Sequence, residues 1–325
     1  MRAILASTAI SLAVLTTGCA AIQPDSMASD VAEQADWALD RSQLLTDLQV
    51  LAADDMEGRA VATDGNARAR DYIIGRLEAM GAEPVDGDYE HAFSFTSRRT
   101  GEKVDGINIL ARIDGSSDSD RTMVVTAHYD HVGMRDGQIW NGADDNASGV
   151  ASVLAVTEMF LAEPPEHDVI IALVDAEENG LQGARAFVEN PPIPAENITF
   201  NLNMDMVAMS TDRILWAVGT YHYPYLTPIV EEVAERASVA MPMGYDEPTE
   251  VPGGDWTNLT DSGAFHAAGI PFIYLGVDFH PHYHQPTDTY ENMTLDFFQD
   301  ASEAVADFAR VSDENLDLIG EASGR

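Results

Sequence analysis

The runs TMVVTAHY (122–129) and DVIIALVDA (168–176) are apolar almost without interruption, and this constrains the fold more than any other feature of the chain. A strand with one solvated face alternates apolar and polar residues, whereas a strand covered on both faces does not have to. INILARI (107–113) has the same character, with further strand candidates at ITFNLNMDMV (198–207), RILWAVG (213–219) and PFIYLGV (271–277). Stretches of helical character lie between them: GVASVLAVTEMFLA (149–162), LQGARAFVEN (181–190), LTPIVEEVAERA (226–237) and SGAFHAAG (262–269). Upstream, RDYIIGRLEAMGAEP (70–84) sets Tyr72, Ile73, Leu77 and Met80 at helical spacing and ends in Gly81, a helix stop. Near the end, TLDFFQDASEAVADFARV (294–311) repeats apolar positions at Phe298, Ala301, Val305 and Phe308, which predicts a packed amphipathic helix. Strands alternating with helices predict the α/β class, as a three-layer α/β/α sandwich around a mostly parallel mixed sheet. No internal repeat or low-complexity linker follows residue 40, so residues 41–325 read as a single catalytic-sized domain.

The charge balance excludes some partners. With 55 acidic residues against 17 basic ones, a net charge of −38 and Lys103 as the only lysine, the surface repels phosphate backbones, so no nucleic-acid partner is expected. Such a charge keeps a protein soluble and suits a saline or otherwise demanding external medium. The N-terminus, MRAILASTAISLAVLTTGCAA, has a basic start at Arg2 and an apolar run from Ala3 to Leu15, too short to span a bilayer and readable as a signal peptide. It leads to Gly18-Cys19-Ala20. This resembles a bacterial lipoprotein signal, although Thr16 stands where leucine is usual. The expectations are a signal peptide over 1–18, lipidation at Cys19 with anchoring to a membrane, a polar tether over 19–40, and a cell-envelope or secreted location, with outer-membrane sorting allowed by Ala20. Cys19 is the only cysteine, so no disulfide supports the fold.

Functional groups in open α/β sheets gather beyond the carboxyl ends of the strands, and the charged clusters of this chain fall there. His128-Tyr129-Asp130-His131 follows TMVVTA, Glu177-Glu178 follows DVIIALVDA, and Asp205 ends FNLNM. His282, His284 and Asp288 follow PFIYLGV, and NGADDNASGV (141–150) sets Asp144 beside Asp145 among small residues. Carboxylates gathered on one rim repel and raise each other's pKa unless a cation neutralises them. Imidazole mixed with carboxylate suits zinc, whereas an all-oxygen set suits calcium or magnesium. Four or five ligands with one shared carboxylate suggest two metals about 3.5–4 Å apart.

The stretches AHYDHVG, GADDNASGVASVL, DAEENGLQGARAF, NLNMDMV and YHQPTDT arrive in an order and spacing that resemble the zinc-dependent exopeptidase family of bacterial leucyl aminopeptidases, glutamate carboxypeptidases and, more distantly, glutaminyl cyclases. The similarity covers roughly residues 50 to 310, and EGRAVATDGNARARDYI resembles the family's first helix. The resemblance implies two zinc ions, one held by His128, Asp145 and Asp205 and the other by Asp145, Glu178 and His284. Asp145 would bridge them, with a cis peptide to Asn146. Asp144 would be its more dispensable neighbour. It also implies Glu177 as general base, Tyr283 as an oxyanion stabiliser, Asp130 as the carboxylate orienting His128, and Asp288 in a similar part near His284. His131, His266, His280 and His282 are left as surface or pocket residues.

The activity implied is that of a di-zinc aminopeptidase acting on peptides with a free N-terminus. The segment from about Tyr221 to Phe265 would line the substrate pocket, with Met241, Met243, Tyr245 and Trp256 making it apolar. No basic cluster that would clamp a substrate carboxylate is evident, which argues against a carboxypeptidase; a carboxypeptidase or dipeptidase of the same fold is the alternative. A glutaminyl cyclase is expected to lack the intact bridging-Asp motif, and a silent binding domain to have lost ligands. The oligomeric state is left open.

Overall fold

The computed structural model describes residues 37–325. The expected signal peptide, the lipidation at Cys19 and most of the expected tether lie outside the described residues. The last tether residues do not: Trp37 donates its backbone N–H to Glu163 (2.7 Å), and Leu39 is buried.

Among the described residues ten strands form in chain order: β1 (Glu83–Pro84), β2 (Glu90–Thr96), β3 (Lys103–Ile113), β4 (Thr122–His128), β5 (Gly133–Arg135), β6 (Gln138–Trp140), β7 (Asp168–Val174), β8 (Ile198–Met204), β9 (Trp216–Val218) and β10 (Phe272–Gly276). The helices are α1 (Arg41–Leu51), α2 (Asp64–Met80), α3 (Gly149–Ala162), α4 (Gln182–Glu189), α5 (Thr227–Arg236), α6 (Ser262–Ala267), α7 (Leu295–Glu314) and α8 (Leu316–Ser323). The main sheet runs β1-β3-β7-β4-β8-β10-β9, with β2 also paired to β3. Its centre, β7-β4-β8-β10, is parallel, and both flanks are antiparallel. β5 and β6 make a separate small hairpin.

The uninterrupted apolar runs are explained by burial on both faces. In β4, Met123, Val125 and Ala127 pack into the core that holds α1, α2, α3 and α7, while Val124 faces the core formed with α4 and α6. In β7, Val169, Ile171 and Leu173 take the first face, and Ile170, Ala172 and Val174 the second. This is the expected three-layer α/β/α sandwich. α2 is capped as its sequence suggests: Thr63 Oγ1 accepts from Asn66 N at the start, and Gly81, at φ 86°, closes the end in the left-handed region.

β8 departs from a plain apolar strand. Phe200, Leu202 and Met204 enter the larger core, whereas Asn201 and Asn203 point to the opposite face. There Asn201 donates to Val124 O and Thr126 Oγ1, Thr126 donates to Asn203 Oδ1 (2.7 Å), and Asn203 donates to Thr260 Oγ1. Buried amides are stabilised where hydrogen bonds replace water, and this column supplies them for all but Asn201 Oδ1, which has no hydrogen bond among the described residues.

Candidate metal centre

His128 is the last residue of β4, and Asp205 follows β8 directly. Glu177 and Glu178 follow β7, Asp145 lies in the loop before α3, and His284 comes after β10. The four strands are adjacent and parallel, so their carboxyl ends bring five distant segments to one rim. Consecutive Glu177 and Glu178 both reach it because the chain turns through left-handed Ala176 (φ 58°) and Gly180 (φ 97°). The Asp145–Asn146 peptide is cis, as the resemblance implied.

Two donor groups share Asp145. Its Oδ1 is 3.4 Å from His128 Nε2, which is also 3.4 Å from Asp205 Oδ1. Its Oδ2 is 3.0 Å from His284 Nε2 and 3.6 Å from His131 Nδ1. Glu178 Oε1 completes the second group, 2.8 Å from His131 Nδ1 and 3.3 Å from His284 Nε2. Within each group the nearest donor atoms all lie within 4.8 Å of one another. His131 Nδ1 and Glu178 Oε1 are buried without a hydrogen bond among the described residues, despite facing each other. Buried polar atoms left in that state are costly, and a cation placed among them satisfies them together. The donor chemistry, imidazole nitrogen with carboxylate oxygen, fits zinc.

His131 corrects the sequence reading, which left it as a surface or pocket residue. It is 1% exposed and belongs to the second group. The signal was its place three residues after His128, where a strand end turns back on itself. Gly142 makes the room. At φ +62°, a Cβ there would collide with the His131 ring and with the Asp145 carbonyl. His280 is also nearly buried, with Nε2 2.9 Å from Asp144 Oδ2.

The supporting carboxylates act on main chain more than on the metal-facing rings. Asp130 was expected to orient His128 through its carboxylate. Instead its carbonyl oxygen stands 3.1 Å from His128 Nδ1, while Oδ1 is 3.6 Å away. Its carboxylate accepts from the backbone N–H groups of Glu177 (3.0 Å) and Glu178 (3.4 Å). Asp288 was expected beside His284 and is found elsewhere: fully buried, it accepts from the backbone N–H groups of Asp144 (2.9 Å) and Asp145 (3.1 Å). The backbone N–H groups of the acidic loop point inward, and a carboxylate is their strongest acceptor. Asp144 is buried too, accepting from Ala208 N (2.6 Å) and Ser148 Oγ (3.2 Å), which ties the segment after β8 to the loop.

Arg59 was not singled out in the sequence. It is fully buried, and its guanidinium donates to the carbonyls of Tyr129, Leu51, Asn141 and Gly142 at 2.6–2.8 Å. Burial lowers its pKa to about 10, against the pull of Asp288 and Asp145.

Electrostatics divide the rim. Burial alone would lower His128, yet Asp205 and Asp130 raise it well above the ordinary histidine value. His284 likewise resists desolvation and is raised to about 10 by Asp145 and Glu178. Burial would raise Glu178, but the His131 and His284 rings hold it far below the carboxylate range. Glu177 moves the other way: burial, with Asp261, Asp205 and Glu178 nearby, outweighs His128 and raises it well above the usual value. Buried Asp261, another residue absent from the sequence reading, has both carboxylate oxygens without a hydrogen bond among the described residues, and burial raises it to about 8.

The rim opens into a cleft of about 750 Å³ lined by Glu177, Glu178, Asp205 and His284. Tyr283 lines it as well, stacked on His284 at 4.1 Å. From the segment expected to form the pocket, Pro252, Trp256, Asn258, Leu259 and Thr260 reach the cleft. Met241 and Met243 do not; they border a separate depression beside α5. Tyr245 stands behind Trp256, stacked at 3.9 Å. Arg98 and Arg185 are in the lining too, contrary to the expectation that no basic cluster faces the substrate.

Comparison with known proteins places this rim in a family. The chain is 31% identical over 160 residues to a vacuolar membrane protease of Schizophyllum commune, a match covering 47% of the chain and 17% of that relative. It spans under a fifth of the length of the vacuolar membrane proteases first matched. These fungal relatives overturn the expected location as an exported cell-envelope lipoprotein or secreted protein. Among the described residues no helix is long and apolar enough to cross a membrane. In fold, the chain resembles a Zn-dependent exopeptidase from Parabacteroides distasonis (TM-score 0.68, 17% identity, covering 84% of this chain and 99% of that one). It also resembles the glutaminyl cyclase of Porphyromonas gingivalis (TM-score 0.71, 18% identity, covering 83% and 98%). Residues 108–309, which hold every segment of the rim, match the model of Peptidase family M28, and the chain belongs to that family of zinc metallopeptidases.

Proposed function

We propose that this chain is a di-zinc aminopeptidase. The observation that carries the reading is Asp145, whose two carboxylate oxygens face different donor groups, with Glu177 beside both. His128 and Asp205 would hold one ion; Glu178 and His284, with His131 joining them, would hold the other; Asp145 is common to both. When bound, the ions supply Lewis-acid polarisation of the scissile carbonyl and ease the ionisation of a water.

The chain's own residues do the rest. Glu177, whose raised pKa makes it a better proton acceptor than an ordinary carboxylate, takes the proton of the attacking water and returns it to the leaving amine. Tyr283 keeps its phenolic proton because burial and the nearby carboxylates of Asp145 and Asp205 raise its pKa, and so it can donate to a developing oxyanion. The rim carboxylates can accept hydrogen bonds from an ammonium group, which supports a substrate with a free N-terminus. Leu259, Trp256 and Phe279 give the cleft apolar walls for the residue removed.

The test is metal content of the purified protein together with hydrolysis of aminoacyl-nitroanilides. Two zinc ions per chain, and cleavage abolished by acetylating the substrate amine, are expected. One ion per chain, or equal cleavage of the acetylated substrate, overturns the reading.

A further inference from the structure

Basic residues are far outnumbered by acidic ones in this chain, and most described arginines are paired, as in Arg76 with Asp47, Arg213 with Asp300 and Arg310 with Asp307. Arg98 and Arg185 differ. Both are exposed and, like Arg99 and Arg135, form no ion pair or side-chain hydrogen bond among the described residues, but Arg98 and Arg185 alone among these four line the metal-centre cleft.

Their placement is specific. Arg98 lies in the turn of the β2–β3 hairpin. β3 runs antiparallel to β7, and its first half extends past the carboxyl end of β7, so the hairpin turn overhangs the rim. A guanidinium nitrogen of Arg98 lies 4.0 Å from where a Cβ on Gly180 would stand, directly above the turn that carries Glu177 and Glu178. Arg185 rises from α4, which starts two residues after that turn. The two arginines are 87 positions apart, yet both line the metal-centre cleft and both line the adjoining groove of about 280 Å³ between β2 and α4.

We infer that Arg98 and Arg185 form a carboxylate-binding subsite, and that the substrates are short zwitterionic peptides. The inference rests on the aminopeptidase reading for the amine end of the substrate. The cleft then offers two kinds of charge, with carboxylates around the metal centre for the ammonium and two guanidinium groups on the wall formed by the β2–β3 turn and α4 for an anion. Guanidinium is the side chain suited to this task, since its planar fork meets a carboxylate through two parallel N–H donations. The cleft volume of about 750 Å³ is that of a small-ligand site rather than of an extended polypeptide channel. The carboxylate can be a free C-terminus or an acidic side chain near the scissile bond, and the two present the same group to the arginines.

The test compares three peptides on the metal-loaded protein: Leu-Gly-Gly as the free acid, Leu-Gly-Gly amide, and Leu-Glu amide. Wild type should prefer a peptide bearing a carboxylate over Leu-Gly-Gly amide by about tenfold in kcat/KM, less at high ionic strength. In the Arg98→Gln/Arg185→Gln double variant that ratio should fall towards one, while Arg98→Lys/Arg185→Lys keeps part of it. Preference for the free acid assigns the subsite to the C-terminus, and preference for Leu-Glu amide assigns it to a side chain. Because the ratio is taken within one protein, general damage to a variant cancels. Absence of preference in wild type, or a preference that survives the double glutamine variant, overturns the subsite. If none of the peptides is cleaved, the aminopeptidase reading fails by itself. Calorimetric titration with the free acid and with its amide then decides the subsite by the same ratio of affinities.

Discussion

Arg59 and Gly142, 83 positions apart, are joined by a 2.8 Å hydrogen bond from guanidinium to carbonyl, and three further carbonyls converge on the same side chain. One buried cation thus fastens the end of α1, the turn after β4 and the acidic loop to each other. Replacing it with methionine strands the carbonyls of Leu51, Tyr129 and Asn141, each costing about 1–3 kcal/mol, while the Gly142 carbonyl keeps the N–H of Ala147. Arg59→Met is therefore expected to lower stability by at least about 3 kcal/mol, read as a shift in urea midpoint at constant slope. A shift too small to measure would show that water readily replaces the guanidinium.

Asp288 is predicted to govern metal affinity without touching metal. Asn in its place keeps one acceptor for the N–H groups of Asp144 and Asp145 and turns an amide donor towards the other. Loss of an indirect support of this kind typically weakens metal binding by about 10–100-fold. Competition with a chelator should show this for Asp288→Asn, and equal affinity would confine Asp288 to folding.

Glu177→Gln separates proton transfer from ligation. The amide cannot accept the proton, so turnover is expected to fall by about 10²–10⁴-fold while both ions stay bound. Loss of an ion along with activity would make Glu177 a ligand.

Stability of the metal-free protein should decline as pH rises from about 5 to 8. Burial raises Asp288 to about 6, Asp175 to about 7 and Asp261 to about 8, from an ordinary value of 3.8. Over that window the folded chain holds more protons than the unfolded one, so raising the pH draws the equilibrium towards unfolding. His284, raised to about 10, acts in the same direction above pH 6.5. Zinc should flatten the trend by stabilising the ionised carboxylates. Urea midpoints at pH 5, 6.5 and 8, with EDTA and with zinc, check this, and a rising midpoint in EDTA contradicts it.

The sheet could be read from the chain because both-face burial writes itself as continuous apolar runs, and β4 and β7 appear where TMVVTAH and DVIIALV stand. The rim was legible as a set, since strand-end polar clusters have few other places to go. What could not be read is anything that depends on partners far along the chain. Asp145 could be preferred to Asp144 only through resemblance, because the difference between them is which one faces the rim. Asp288 is close in sequence to His284, but the backbone it holds is more than 140 residues away. Arg98 and Arg185 read as ordinary surface charges until the overhanging hairpin brings them to one wall. β2 escaped notice since its alternating residues form an edge strand, half solvated and without the strong apolar signal of the centre.

Asp130 and Asp288 bind main-chain N–H groups and leave the side chains of Glu177, Glu178 and Asp145 to the rim. Loop shape and ligand chemistry are therefore specified by different residues. A change at Glu177, Glu178 or Asp145 alters what the rim binds without withdrawing the support that shapes it. Evolution can then revise the reaction on this scaffold one side chain at a time, beginning each attempt from a chain that still folds.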